Sequence, residues 1–416
     1  MFGKFTVIKK CKTTNARVSE FVLQKNTLHT PIFMPVATYG AMRGVSVDSM
    51  PEEIILSNTY HLRNLGKNIK DFMSWNKSML TDSGGFQIQS LPNVEVTDEG
   101  VVFDNKLFTP EDSMDIQLGL GADIMMQLDD VVNPNEPREK HVKAISRSID
   151  WLDRAIIHIG NKHRNKRGIG EDSTNISDNT SDLQNVVNDN ADSKKKAKII
   201  PSIANFQKIE NMNQTLFPII QGGLIDELRK KSIDDILLRN PIGLAIGGLS
   251  GGEDKMDFCN TVLFCCKHLP DHLPRYLMGV GYPEDVVVCS ALGTDMSDCV
   301  YPTRTARFGR GFTDDGDVMI DNKVVNDLTP ISSDCQCSTC SKYSKAFLAT
   351  IKGTPNFCML MSHHNLHYMR SLTSRIRENI LNDSYPEFIK AYMTKRYKGS
   401  VPEWILKALE KVNVRF

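Results

Sequence analysis

Nowhere in its 416 residues does the chain carry an apolar run of the roughly 18 residues that a membrane-crossing helix needs. Its opening, MFGKFTVIKK, holds no stretch of signal-peptide length. Both absences predict a soluble, intracellular chain. An excess of charge is missing as well. Lys plus Arg and Asp plus Glu each number 50, so any RNA-binding surface has to be a local patch. No Gly-rich dinucleotide loop opens the first β-α unit, which counts against a doubly wound nucleotide-binding sheet. Ten cysteines in a chain without an export signal argue for thiols, not a disulfide framework.

What is present is ordinary globular composition, 40% hydrophobic and 24% charged, arranged in short apolar runs. Eight of them end in Gly, Asp, Asn or Pro: PIFMPVA (31–37), EIILSNTY (53–60), SMLTDSGG (78–85), ADIMMQLDD (122–130), FPIIQGG (217–223), IGLAIGGLS (242–250), PRYLMGVG (274–281) and MSDCVYP (296–302). Runs this continuous suit strands buried on both faces, as in a parallel sheet. Helical spacing lies between many of them. One segment sets Ile145, Ile149, Leu152 and Ile156 on a single face. Eight strands in a β-then-α rhythm predict an α/β protein of the (β/α)8 barrel type. The stretch near 161–215 breaks the rhythm. It is rich in Asn, Asp, Ser and Lys, and it predicts a disordered insertion on the face away from the active site. Its KKKAK run reads as a solvated basic tract.

Barrel chemistry collects at the carboxyl ends of strands. Those positions hold Asp82, Asp129 and Asp130, Gln221 with two glycines, Gly247–Leu249, Met278 and Asp298. Polar side chains with flanking glycines suit a flat polar ligand approached closely by backbone. An Asp after a strand also serves as an N-cap, the reading preferred for Asp130 and equally open for Asp82. Asp298 sits inside an apolar run, where an unpaired carboxylate is costly, so function is preferred there. Paired carboxylates suggest glycosyl chemistry, one attacking the anomeric carbon while the other moves a proton. Beyond Asp298, Arg304, Arg307 and Arg310 recur every third residue, a spacing suited to successive phosphates. Cys335, Cys337 and Cys340, followed by His363, His364 and His367, can make a Cys3His zinc site. Four protein ligands leave no open position, so the zinc would be structural, one per chain.

Together TDSGGFQ (81–87), SNTYHL (57–62), QLDD (127–130), IIQGG (219–223), AIGGLSGGE (245–253), RYLMGVG (275–281), DCVYPTRTAR (298–307) and the CQCSTC…HHN pattern resemble the queuine/tRNA-guanine transglycosylases. The resemblance runs nearly end to end, apart from the insertion. It implies an irregular TIM barrel with an inserted zinc-binding subdomain: a core over 1–312, then zinc subdomain and C-terminal helices over 313–416. It also implies a pentosyltransferase that exchanges guanine for queuine at the wobble position of tRNAs for Asp, Asn, His and Tyr. By matching position, Asp298 is the nucleophile and Asp82 the general acid/base. Asp129, Gln221, Gly248 and Leu249 hold the base, and Phe86 and Met278 sandwich it. Arg304 and Arg307 contact the anticodon loop. Cys335, Cys337, Cys340 and His364 bind zinc, His364 being chosen over His363 because it precedes Asn365. Val131 and Gly251 depart from the bacterial pattern, and Gly251 is expected to leave room for the cyclopentenediol of queuine. The resemblance further implies a heterodimer with an accessory subunit, a homodimer being the alternative. Two rivals stay open: a non-catalytic partner subunit of the same family, and a metal-dependent barrel hydrolase.

Overall fold

The computed structural model describes residues 2–42, 44–49, 51–166 and 214–416. Nine parallel strands form its centre: β1 (Ile32–Pro35), β2 (Ile54–Asn58), β3 (Ser78–Asp82), β4 (Ile124–Met126), β5 (Thr215–Phe217), β6 (Ile219–Ile220), β7 (Leu244–Ile246), β8 (Arg275–Leu277) and β9 (Met296–Cys299). They lie in two sheets, ordered β5-β4-β3-β2 and β6-β7-β8-β9-β1. All eight predicted runs contain a strand. The run FPIIQGG is divided between the sheets at Pro218, which has no N–H to donate to a ladder. On the far side the sheets touch through a parallel bridge between Val36 and Leu56, where Ala37 N–H donates to Leu56 O at 2.7 Å.

Successive strand residues face opposite ways, and here both faces are buried. Met34, Leu56, Leu80, Met126, Phe217, Ile219, Ala245, Tyr276 and Met296 form one inner cluster to which every strand contributes. The alternate residues Phe33, Met125, Leu216, Ile220, Leu244, Ile246 and Leu277 join a larger outer cluster shared with helices. This double burial is the physical reason that the strands read as continuous apolar runs.

The helices that concern the site are α1 (Pro110–Leu120), α2 (Arg138–Lys166), α3 (Asp226–Leu237), α4 (Lys255–His268), α5 (Pro283–Leu292), α6 (Tyr301–Ala306) and α7 (Pro355–Leu381). α1 begins with a reciprocal box, in which Thr109 Oγ1 accepts from Asp112 N–H (3.1 Å) and Asp112 accepts from Thr109 N–H (2.9 Å). It stops at Gly121, whose φ of +73° favours glycine. α2 buries Ile145, Ile149, Leu152 and Ile156 as their spacing predicts. It extends to Lys166, so the first residues of the stretch expected to be disordered are helical. The last residue of that stretch, Thr215, opens β5, and residues 167–213 lie outside the described residues.

α7 packs Met369, Leu372, Ile376 and Ile380 into the outer cluster, and its Arg377 donates to Pro31 O (2.7 Å) ahead of β1. Two further helices, Tyr385–Arg396 and Glu403–Glu410, bury Ile389, Ile405 and Leu409 in the same cluster. A smaller core of Ile320, Ile331, Leu348, Phe357 and Met361 surrounds Cys337 and Cys340. The fold is thus mixed α/β with parallel sheets and a Cys3His group beside them.

Candidate active site

Alternation along the strands carries the inner face one layer past the apolar cluster, and that next layer is polar except at Met278. Asn58 stands two residues beyond Leu56, Asp82 beyond Leu80, Gln221 beyond Ile219, Met278 beyond Tyr276, and Asp298 beyond Met296. The strand-end residues picked from the sequence therefore converge for a geometric reason.

Asp298 is half-buried, and both of its hydrogen bonds fall on one oxygen. Tyr276 OH donates to Oδ1 at 2.6 Å and Gly279 N–H at 2.9 Å, leaving Oδ2 without a partner among the described residues. Burial pushes its pKa above the usual carboxylate value, while the two donors oppose that shift. Asp82 accepts from Asn58 Nδ2 at 3.0 Å and from Gly84 N–H at 3.4 Å. Burial, reinforced by the Asp298 charge, pushes Asp82 up to about 6. Asp82 does not cap the short helix that follows, whose N-cap is Gly84 without a side-chain bond.

Asp129 is buried and pairs with Gln221 Nε2. Burial drives its pKa to about 7 against the Gln221 hydrogen bond, helped by Asp82 and Asp130. Gln89 brackets it, donating to Asp129 O and accepting from Val131 N–H, both at 2.8 Å. Asp130 is not a helix cap. It forms an ion pair with Arg147 (2.5 Å), and its own N–H donates to Ser148 Oγ (3.0 Å). Gly248 has a φ of +62°, and a Cβ there would stand 2.3 Å from Gln221 Oε1, so only glycine lets this backbone approach the amide. Leu249 follows it. Met278 packs on the inner cluster, while Phe86 is 61% exposed just beyond Asp82.

Gly251 differs from expectation. The space that a side chain would occupy is filled by Pro134, whose Cδ lies 2.7 Å from an ideal Cβ position, and Asn133 Nδ2 donates to Gly251 O (3.2 Å). The glycine admits the 131–137 loop; it does not open a vacant lobe.

Arg304 and Arg307 line one cleft of about 190 Å³ with Val36, Thr38 and Thr303. The Arg307 Nε is buried without a hydrogen-bond partner. Arg310 does not continue the row, because it lies on the following strand and pairs with Asp317 (2.9 Å).

The ligand atoms of Cys335, Cys337, Cys340 and His364 all lie within 4.8 Å of one another. His364 Nδ1 is 3.7, 3.6 and 3.3 Å from the three sulfurs. A tetrahedron with the usual zinc bond lengths puts N and S about 3.5 Å apart, so the donor set fits zinc. Nε2–H of His364 donates to Phe312 O (2.8 Å), which fixes the tautomer that frees Nδ1. His363 instead meets Ser49 at the surface (3.3 Å).

The family model for queuine tRNA-ribosyltransferase matches residues 11–177 and 183–398. The chain belongs to this family. A queuine tRNA-ribosyltransferase catalytic subunit of Schizosaccharomyces pombe is 38% identical over 99% of this chain and 97% of its own length. The namesake from Caenorhabditis elegans is 36% identical over 96% of each chain. A queuine tRNA-ribosyltransferase of Deinococcus radiodurans is 34% identical over 97% of this chain and 95% of its own.

For this member of the queuine tRNA-ribosyltransferase family, sequence reading missed two residues that hydrogen-bond Asp298 and Asp82. Tyr276 was visible only as an apolar strand position, although its place two residues before Met278 puts it on the inner face. Asn58 lay within SNTYHL without a role, and its register partner across β2 and β3 is Asp82.

Proposed function

We propose that the chain exchanges a nucleobase on tRNA through a covalent ribosyl-aspartate, replacing wobble guanine by queuine in tRNAs for Asp, Asn, His and Tyr. The observation that carries this reading is the unequal treatment of two neighbouring carboxylates. Asp298 is aimed by two donors on a single oxygen, and Asp82 is poised near neutral pH. Oδ2 of Asp298 attacks C1′; the C1′–N9 bond breaks, and its electron pair goes to guanine as Asp82 supplies a proton. Esterified Asp298 is neutral, so the charge that holds Asp82 up is gone, and Asp82 gives up its proton to the departing guanine more readily as the ester forms. Asp82 then takes a proton from queuine, the queuine nitrogen attacks C1′, and Asp298 departs as carboxylate. Asp129, Gln221 and the backbone of Gly248–Leu249 hold the base, with Phe86 and Met278 on its two planes and Val131 and Gly251 at its edge. Arg304 and Arg307 grip anticodon phosphates from their cleft.

The two sheets read best as arcs of one irregular (β/α)8 barrel, supported by the Pro218 junction and the Val36–Leu56 bridge. Residues 1–312 supply this barrel with the 161–215 insertion. Residues 313–416 add a subdomain held by structural zinc, one ion per chain, and the helices that finish the outer layer. The reaction takes place in the cytoplasm. Two relatives are named catalytic subunits, which supports a heterodimer with a non-catalytic partner. Incubating Asp298→Ala with tRNA should give neither an adduct on a denaturing gel nor exchange of labelled guanine. Exchange retained by that variant would reject the nucleophile.

A further inference from the structure

Arg229 on α3 is fully buried, and no carboxylate among the described residues pairs with it. Its guanidinium donates to backbone carbonyls instead. Nε reaches Gly223 O (2.8 Å), Nη1 reaches Ile220 O (2.9 Å) and Gly247 O (2.7 Å), and Nη2 reaches Gly248 O (3.4 Å). These carbonyls belong to the last residue of β6 and to the two turns that leave β6 and β7, the turns carrying Gln221 and Gly248–Leu249. Burying a guanidinium without a counter-charge is expensive, so packing alone is a poor reason to keep it there.

Peptide geometry gives a better one. In a trans peptide the C=O and N–H point in opposite directions. Drawing the carbonyls of Gly247 and Gly248 toward α3 turns the N–H groups of Gly248 and Leu249 away from it. Neither N–H makes a hydrogen bond among the described residues. Gly248 also abuts Gln221 Oε1, so these free donors stand beside the Gln221–Asp129 pair.

We propose that Arg229 is a positioning residue for the exchanged base. It aims the two free N–H groups at the carbonyl oxygen of a bound purine and sets behind them a positive charge that makes no ion pair among the described residues. This inference rests on the base-exchange reading. When the C1′–N9 bond breaks, its electron pair spreads through the purine onto that oxygen. Pre-aimed donors backed by a buried cation stabilise such charge without reorganising. The proton that neutralises the departing base still comes from Asp82.

Guanine and 2-aminopurine share a ring system, but only guanine has the carbonyl oxygen, so their affinity ratio reads the proposed donors. Calorimetric titration of the purified chain should show guanine strongly preferred. Arg229→Gln should narrow the ratio at least tenfold and reduce kcat for guanine exchange. Arg229→Lys keeps the charge but cannot fork across the carbonyls; it should narrow the ratio while retaining more of kcat than the Gln variant. If the Gln variant fails to fold by circular dichroism, the Lys variant carries the same ratio test. A folded variant that keeps the wild-type ratio, or loses both ligands equally, overturns the assignment. A wild-type chain that neither binds guanine nor exchanges it would instead sink the base-exchange reading itself.

Discussion

Removing the Tyr276 hydroxyl should trap the enzyme on its covalent intermediate. Tyr276 is buried and donates to Oδ1 of Asp298 at 2.6 Å. In the resting state that oxygen belongs to a carboxylate, whereas in the ribosyl ester it is a neutral carbonyl oxygen. A hydrogen bond to a charged group is worth about 1.5–3 kcal/mol and one to a neutral group about 0.5–1.5 kcal/mol. Tyr276→Phe therefore costs the free carboxylate about 1–1.5 kcal/mol more than it costs the ester. The adduct-to-free partition should rise about tenfold, since 1.4 kcal/mol is one decade. This is an equilibrium effect, unaffected by whatever the mutation does to rates. The assay is a denaturing gel of tRNA-linked protein, equilibrated over a series of guanine concentrations. The concentration that halves the adduct should move up about tenfold. The same variant loses a donor that opposes the upward pKa shift of Asp298, so the acid limb of kcat/KM for tRNA should move to higher pH. An adduct fraction equal to or below wild type at every guanine concentration would refute the reasoning.

Asp129 has a folded-state pKa of about 7 against an ordinary value of 3.8, so its charged form disfavours the fold. Its penalty is absent below about pH 4, grows as pH rises through the window between those values, and reaches on the order of 4 kcal/mol. Asp129→Asn should thus melt higher than wild type at pH 8, converge with it near pH 4, and lose guanine binding; parallel melting curves across that range would contradict this. Arg307→Ala should weaken tRNA binding and lower the slope of log K against log salt by about 0.7–0.9, leaving guanine affinity unchanged; an unaltered slope would remove Arg307 from the phosphate contacts. Elemental analysis should find one zinc per chain. Cys337→Ser or a strong chelator should release it and unfold the core around Ile331, Leu348 and Phe357, visible as lost amide protection there; zinc loss without unfolding would deny it a structural role.

Much of the site was legible because strand chemistry is local. A run buried on both faces must be apolar, so Asp82, Gln221 and Asp298 stand out where the runs end. Three closely spaced cysteines needed only the right histidine, and Phe312 O decided for His364 by taking its Nε2–H. Arg310 misled because a spacing of three implies one face only while the helix lasts, and α6 ends at Ala306. Asp130 misled because its partner, Arg147, lies on the next helix.

The sequence by itself determined the order of strands, the residues at their ends and the cysteine trio of the metal donor set, since each depends on neighbours within a few positions. Tertiary structure alone decided what those residues face. It placed Tyr276 and Gly279 on one oxygen of Asp298, raised Asp82 through a charge contributed more than two hundred positions away, and filled the space beside Gly251 with Pro134. It also buried Arg229 against carbonyls of two different turns. Hydrogen bonds, desolvation and volume depend on distance in space, and a linear pattern carries no measure of that distance.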